Sequence, residues 1–444
     1  LRLKHSILVA VSVLVLAPLA FVHGVLRASL PQLDGDVVSP GLKAPVKIER
    51  DKLGVPTIVA ANRLDLAYAT GFVHGQDRFF EMDLSRRLAA GELAELFGPV
   101  AVEQDRKTRV FHFRKVAREV LQQASPQQRA IVEAYARGVN AGLASLRSRP
   151  WEYWVLNAPP VPWRDEDTIL VVDTMWWDLQ ANGFVREILR RELNARIGGR
   201  ECDAGWKCGL RFFYPARSQW DAPNTTVASG VATTVASSGI VPAAAGIPGP
   251  DVLDVRAATA ASPGPAAAGA PDREKRLQAR GDNVGSGTWE MRVLEAFSPS
   301  VAGALSASPP DVGSNNWAIA GRLTSTGSAL VASDMHLGLN VPTLWYHARL
   351  RTTGTTTESA LDLTGVTLPG APLLVAGSNG HIAWGFTNSY GDWLNVDLVP
   401  CTSVGENELR TPSGTVPLSV EREVIRVKNA PPVVEEVKSG PSGT

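Results

Sequence analysis

From Asp221 to Thr288 the chain carries no aromatic residue, and Asp221–Pro271 is mostly Ala, Gly, Pro, Ser, Thr and Val. Such a stretch has few large apolar groups to set against the entropy of ordering its backbone, so it cannot build a core of its own. It divides a chain of 444 residues into two segments, and any compact fold has to be made from those. Before the divide, apolar residues recur at helical spacing; after Val312, short apolar runs alternate with turn residues. Helices, spacer, then strands points to the α+β class. Lys+Arg and Asp+Glu number 44 each, so the chain lacks the basic excess of a general nucleic-acid binder. Three cysteines are too few for a disulfide scaffold. With neither a CxxC pair nor an HExxH helix, a zinc site is not expected.

At the N-terminus Arg2, Lys4 and His5 precede an apolar run from Ile7 to Val22, followed by Gly24 and Arg27. A basic flank before such a run reads as a secretory signal or a membrane anchor. The expectation is therefore a leader over residues 1–28 and a periplasmic or extracellular protein, released or held by that segment. In an oxidising compartment Cys202 and Cys208 could pair, leaving Cys401 over. The remaining boundaries are a helix-rich region over 29–220, a spacer over 221–313 and a strand-rich region over 314–444.

Within the first region, Val46–Arg50 and Thr57–Ala60 read as strands around Gly54. Asn62 offers an N-cap to a helical pattern running from Leu64 toward Phe97, with Gly71, Gly75 and Gly91 weakening a single unbroken helix. Lys115–Gln123, Pro126–Ser148 and Asp167–Ile197 are further helices. After the spacer, Asn316–Ala320, Ala329–Ser333, Trp345–Arg351, Leu373–Ala376 and Ile382–Phe386 read as strands. Asn379-Gly380 predicts a type I′ hairpin turn, which needs φ > 0 at both residues.

The segment Gly313-Ser314-Asn315-Asn316-Trp317 is, taken alone, ordinary turn chemistry ahead of a strand. No GxSxG elbow occurs, so an α/β-hydrolase is not the default. Its neighbours change that. Glu49-Arg50-Asp51-Lys52-Leu53-Gly54-Val55-Pro56-Thr57-Ile58 opens the chain's first hairpin. Gly71-Phe72-Val73-His74-Gly75-Gln76-Asp77-Arg78-Phe79-Phe80-Glu81-Met82-Asp83 follows, then Arg86-Arg87 and Gly91-Glu92-Leu93-Ala94-Glu95-Leu96-Phe97-Gly98. Ser314-Asn315-Asn316-Trp317-Ala318-Ile319 leads to Ser333-Asp334-Met335-His336-Leu337. Gly377-Ser378-Asn379-Gly380-His381-Ile382-Ala383-Trp384-Gly385-Phe386-Thr387-Asn388 closes the series. In order and spacing these blocks resemble the penicillin acylase family of N-terminal-nucleophile hydrolases, from about Val46 to Lys428 excluding the spacer.

The resemblance implies an αββα sandwich, here incomplete at the C-terminus: Val424-Ile425-Arg426-Val427-Lys428 looks like a strand in mid-domain, and a truncated precursor is expected to be inactive. It also implies that the chain cuts itself between Gly313 and Ser314. Ser Oγ is a weak nucleophile that needs a base. A free α-amine on the same residue has a reference pKa of about 8, far closer to neutrality than a lysine amine. One residue then supplies nucleophile and base. By the same resemblance His336 orients or polarises the nucleophile, and the backbone N–H of Asn388 is one oxyanion donor, the second lying beyond Thr444. His74 and His381 are expected to be structural. Glu187, Asp392 and Asp397 match the family's calcium ligands, and hard oxygens suit that ion; no organic cofactor is called for. Leu337 and Ala376 match acyl-pocket positions, with Met175, Trp176 and Trp177 as an opposite wall. The small Ala376 would admit a long or bulky acyl chain.

The resulting expectation is a self-processing amidohydrolase acting on a small acyl-amide, assembled from its own two chains and binding no nucleic acid. Two alternatives stand beside it: an uncut, non-enzymatic exported homologue serving as a binding or scaffold domain, and an exported hydrolase with its active site beyond Thr444.

Overall fold

The computed structural model describes residues 2–180, 313–337, 341–354, 360–388, 407–411 and 414–440. The spacer up to residue 312, the three cysteines, and Glu187, Asp392 and Asp397 lie outside the described residues, and Gly313, expected as the spacer's last residue, opens a strand.

The largest sheet has six strands: β1 (Lys47–Arg50), β2 (Pro56–Ala60), β5 (Tyr346–Thr352), β6 (Leu361–Thr367), β7 (Leu374–Ser378) and β8 (Ala383–Trp384), in that spatial order. All neighbours are antiparallel except β2 and β5, which pair in parallel from Thr57↔Arg349 to Ala60↔Thr352. Strand β5 shows why the sequence chooses this form. Tyr346, Ala348, Leu350 and Thr352 are buried, while His347, Arg349 and Arg351 face out, the two-residue period of a sheet covered on one face. Arg349 and Arg351 reach Asp362 on β6. Strand β6 was not among the expected strands. Three two-stranded units complete the described β structure: β3 (Gly313–Ile319) with β4 (Leu330–His336), β9 (Glu408–Thr411) with β10 (Gly414–Pro417), and β11 (Ser419–Ile425) with β12 (Val433–Ser439). The expected strand around 424–428 is thus β11, ending at Ile425.

Among the helices, α1 (Arg2–Ala28) carries the N-terminal apolar run. The single pattern expected from Leu64 toward Phe97 is instead α2 (Arg63–Asp77), α3 (Phe79–Ala90) and the short α4 (Ala94–Phe97). Gly91 ends α3 as a left-handed cap with φ 64°, the conformation that glycine adopts without a Cβ penalty. Gly71 and Gly75 do not interrupt α2. They let it meet α7 (Pro126–Ser145) backbone to backbone: a Cβ on Gly71 would lie 2.2 Å from the Tyr135 carbonyl oxygen, and one on Gly138 would lie 1.9 Å from that of Tyr68. Asn62 caps α2 as expected, its Oδ1 accepting from the Asp65 N–H at 2.9 Å. The other face of α2 covers β2 and β5, where Leu66, Ala69 and Val73 pack on Ile58, Ala348 and Leu350. Helices α5 (Val102–Arg109), α6 (Phe113–Gln123) and α8 (Trp151–Val155) follow, and residues 167–180 form a further helix, α9.

Two buried polar clusters tie these parts together. Asp83 accepts from Arg86, Arg87 and the Tyr153 hydroxyl, and Arg86 also binds Asp167. The paired arginines hold the Asp83 carboxyl below its usual range against the opposing effect of burial. In the second cluster, Thr367 Oγ1 donates to the Tyr346 carbonyl at 3.1 Å, so it accepts from His74 Nε2 at 3.0 Å. The Tyr135 hydroxyl accepts from the Gly370 N–H at 2.9 Å and keeps its own proton to offer to His74 Nδ1 at 2.8 Å. Thr367 thus requires a proton on Nε2, and burial, which disfavours the charged ring, leaves Nδ1 as the acceptor. The His74 pKa is pushed down to about 3 by burial and, secondarily, by the Arg78 charge.

Candidate active site

Strand β3 begins at Gly313, and Ser314 is its second residue, opposite Met335 of β4; Asn316 stands opposite Ser333. Alternation puts Ser314 and Asn316 on one face of β3. The chain after β8 crosses that face. Gly385 lies so close that a Cβ there would be 2.7 Å from Ser333 Oγ and 3.2 Å from Asn316 Nδ2. Three residues later the Asn388 backbone N–H donates to Ser314 Oγ at 2.6 Å. A hydrogen bond of this kind favours developing negative charge on the oxygen. An attacked carbonyl carbon would bond to the same Oγ, so this N–H also sits within reach of the oxyanion that attack creates.

Asn388 is itself held. Its Oδ1 accepts from Gln180 Nε2 at 2.9 Å, and its Nδ2 donates to the Leu179 carbonyl at 3.4 Å. Both partners are on α9, whose Leu170 and Val171 are buried and whose Thr174 hydroxyl donates to the Ser85 carbonyl at 2.5 Å. Burial also pushes Asp173 and Asp178 of that helix up to about 7. Among the described residues, Asp173 Oδ2 is buried without a hydrogen-bond partner.

His336 is the β4 residue opposite Gly313, which brings its backbone beside the Gly313–Ser314 peptide. Leu337 follows it, its N–H bonded to the Met335 carbonyl at 2.9 Å. Ala376 is buried on β7 opposite Val366. Trp176 and Trp177 of α9 stand edge-on to Phe111, with ring centroids 6.1 Å and 5.3 Å away. His381 is exposed on the loop between β7 and β8.

That loop departs from the expected turn. Gly380 has φ 83°, but Asn379 has no positive φ, and the strands rejoin at Ser378↔Ala383, leaving four residues between them. The Asn379 side chain explains it: Oδ1 accepts from the N–H groups of His381 and Ile382 at 3.0 and 2.8 Å. An Asx-type turn replaces the type I′ geometry.

With the calcium positions outside the described residues, one described cluster has metal-ligand character: His112, Glu421 and Glu423, with ligand atoms within 4.8 Å of one another. Its carboxylates already face cations, Glu423 on Arg109 at 2.6 Å and Glu421 on Lys115 at 2.7 Å. It is an ion-pair clasp between α5–α6 and the β11–β12 hairpin. Two residues of the Ser314 site were missed from sequence, Gln180 and Gly385. Gln180 gives no motif; the signal for Gly385 was its place between Trp384 and Phe386, where only a missing side chain permits close crossing.

Residues 45–444 match a family model described as penicillin amidase. The acyl-homoserine lactone acylase QuiP of Pseudomonas aeruginosa is 29% identical over 418 residues, which cover 93% of this chain and 42% of that protein. The penicillin acylase 2 proenzyme of a Pseudomonas species is 30% identical over 374 residues, covering 83% and 39%. The penicillin G acylase of Escherichia coli is 26% identical over 362 residues, covering 79% and 40%. The chain thus spans about two fifths of the length of these curated relatives. A thermostable penicillin G acylase structure from Alcaligenes faecalis matches at 24% identity with a TM-score of 0.33, over 43% of this chain and 98% of that chain.

Proposed function

Because this chain belongs to the penicillin amidase family, we propose that it is part of a self-processing amidohydrolase that cleaves the amide of a small acylated amine through an acyl-enzyme on Ser314. The observation that carries this is the Asn388 N–H at 2.6 Å from Ser314 Oγ, a backbone donor brought to the proposed nucleophile from 74 positions away in sequence. In the proposed sequence, Ser314 Oγ attacks the Gly313 carbonyl carbon, the Gly313–Ser314 C–N bond breaks as its nitrogen takes up the hydroxyl proton, and water hydrolyses the resulting ester, leaving Gly313 with a carboxylate and Ser314 with a free α-amine. In turnover that amine takes the Oγ proton as Oγ bonds to the substrate's acyl carbon. The proton passes to the departing amine as the C–N bond breaks, and water then cleaves the acyl ester. The Asn388 N–H stabilises the tetrahedral oxyanion, a contribution of roughly 3 kcal/mol for one such donor.

The proposal extends to an αββα sandwich for the whole protein, to His336 as a group orienting Ser314, and to an acyl pocket that includes Leu337, Ala376, Trp176 and Trp177. It also includes a structural calcium on Glu187, Asp392 and Asp397. Among the described residues no helix is long and apolar enough to cross a membrane, the Ile7–Val22 run lying only partly among the described side chains. Export through the 1–28 segment is a proposal from its basic-then-apolar order.

The test is processing. The whole gene product is expected to yield a chain beginning Ser314-Asn315-Asn316, and Ser314→Ala to leave it uncut, by N-terminal sequencing and intact mass. Full amidase activity from an uncut chain would refute the proposal.

A further inference from the structure

Residues 385–388 follow β8 without belonging to a strand, so no described ladder sets the direction of the Asn388 N–H. The contacts that do are those of its own side chain, and both go to α9. Asn388 Oδ1 accepts from Gln180 Nε2 at 2.9 Å, and Asn388 Nδ2 donates to the Leu179 carbonyl at 3.4 Å. A side-chain amide held through both its ends has little freedom to rotate, and through Cβ it restrains the Cα to which the peptide N–H is attached. The support is firm: Gln180 is 8% exposed, Leu170 and Val171 below it are buried, and Thr174 is hydrogen-bonded to Ser85. The donor is thus aimed by a helix from the segment before the spacer, whereas Ser314 comes from the segment after it.

We infer that Gln180 is a positioning residue for the oxyanion donor: its amide holds Asn388 so that the backbone N–H meets Ser314 Oγ. This rests on Ser314 being the nucleophile, as proposed above. Gln180 touches neither substrate nor reacting atoms, and its effect passes through the Asn388 side chain. Preorganised donors contribute in proportion to how well they are held at the developing charge. A displacement of about 1 Å at a reacting centre can cost about a hundredfold in rate. Losing the clamp should therefore cost less than losing the donor, about 10- to 100-fold in kcat, with KM little changed.

The experiment uses the whole gene product and a chromogenic acyl-anilide, beginning with wild type and Ser314→Ala. If wild type shows no turnover that depends on Ser314, the proposed function fails, and this inference with it. If turnover depends on Ser314, the inference is judged separately. Gln180→Leu removes the donor at similar size and is expected to lower kcat about 10-fold or more, with KM within about threefold. Asn388→Ala, which also gives up the Leu179 contact, should lose at least as much, and the double variant no more than Asn388→Ala, because without the Asn388 amide Gln180 has nothing to hold. Gln180→Glu adds a readout that packing alone would not move. Its protonated acid can donate to Asn388 Oδ1, while its carboxylate repels that oxygen. Its kcat relative to wild type should fall as pH rises through the carboxyl titration, and this near-isosteric variant keeps the question open to test should Gln180→Leu not fold. An unchanged kcat in Gln180→Leu, a loss confined to KM, additive losses in the double variant, or a flat pH ratio for Gln180→Glu would overturn the inference.

Discussion

His74 is neutral and wholly buried, which makes the fold acid-sensitive in a calculable way. Its ordinary pKa is 6.5, and burial holds it at about 3 in the folded protein. The folded pKa is depressed, so the stability that depends on His74 being neutral is complete above pH 6.5. It is lost as pH falls toward 3, because the unfolded chain takes up a proton that the folded chain refuses. Between pH 7 and pH 4.5 the difference amounts to about 2.5 kcal/mol at about 1.4 kcal/mol per pH unit. Other groups act over the same range. Burial pushes Asp105, Asp173, Asp178 and Glu152 up to about 7; those carboxyls bind protons more readily when folded and oppose the His74 effect. A single acid-unfolding curve therefore does not isolate it. The informative comparison is wild type against His74→Gln, which stays neutral and can offer both a donor and an acceptor. Urea unfolding followed by circular dichroism at both pH values should show the variant losing about 2.5 kcal/mol less than wild type on acidification. Equal losses would refute the argument, as would an imidazole NMR titration placing His74 near its ordinary value.

Three further outcomes are expected. Gly138→Ala places a Cβ 1.9 Å from the Tyr68 carbonyl oxygen and should destabilise by about 3 kcal/mol, as overpacking does, whereas a melting temperature equal to wild type would mean that α2 and α7 separate easily. Asp83→Asn leaves Arg86 and Arg87 without the carboxylate both bind; breaking a buried pair costs about 3–5 kcal/mol, readable in chemical denaturation. If Glu187, Asp392 and Asp397 share a calcium, a hundredfold excess over Kd adds about 2.7 kcal/mol of stability, so equal melting temperatures in EDTA and in excess calcium would count against that site.

What could be read from the sequence was whatever local chemistry decides. Asn62 as a cap, the alternation of β5 and the strand beginning beside Ser314 all follow from neighbours a few residues apart. The Asn388 N–H was legible only through family resemblance, since nothing near Asn388 says that its partner is Ser314. Glycine was the misleading signal. Gly71 and Gly75 lower helix propensity by about 1 kcal/mol each, and that cost is visible locally. The compensation is α7 pressed against the bare backbone, with Gly138 and Gly142 answering from the other side, and it lies far along the chain. Gln180 was illegible for the same reason, because its role is defined by a contact 208 positions away. At Asn379 the error ran the other way: a dipeptide rule for two-residue turns lost to a side chain able to satisfy two backbone N–H groups.

The parallel pairing of β2 with β5 has a consequence for the order of events in time. Ser314 lies between those strands in sequence, yet they share one ladder. In an intact chain that ladder closes within a single molecule, at a rate independent of protein concentration. In two separate pieces the same step becomes a bimolecular encounter, and each piece awaits it with a bare strand edge that another copy can occupy. Severing the backbone after folding leaves both pieces locked in the sheet, because separating them means unzipping a strand from the sheet's interior. Severing it beforehand turns folding into a contest between the right partner and aggregation. A chain that cuts itself only once Ser314 and Asn388 have met would place the cut on the safe side of that contest.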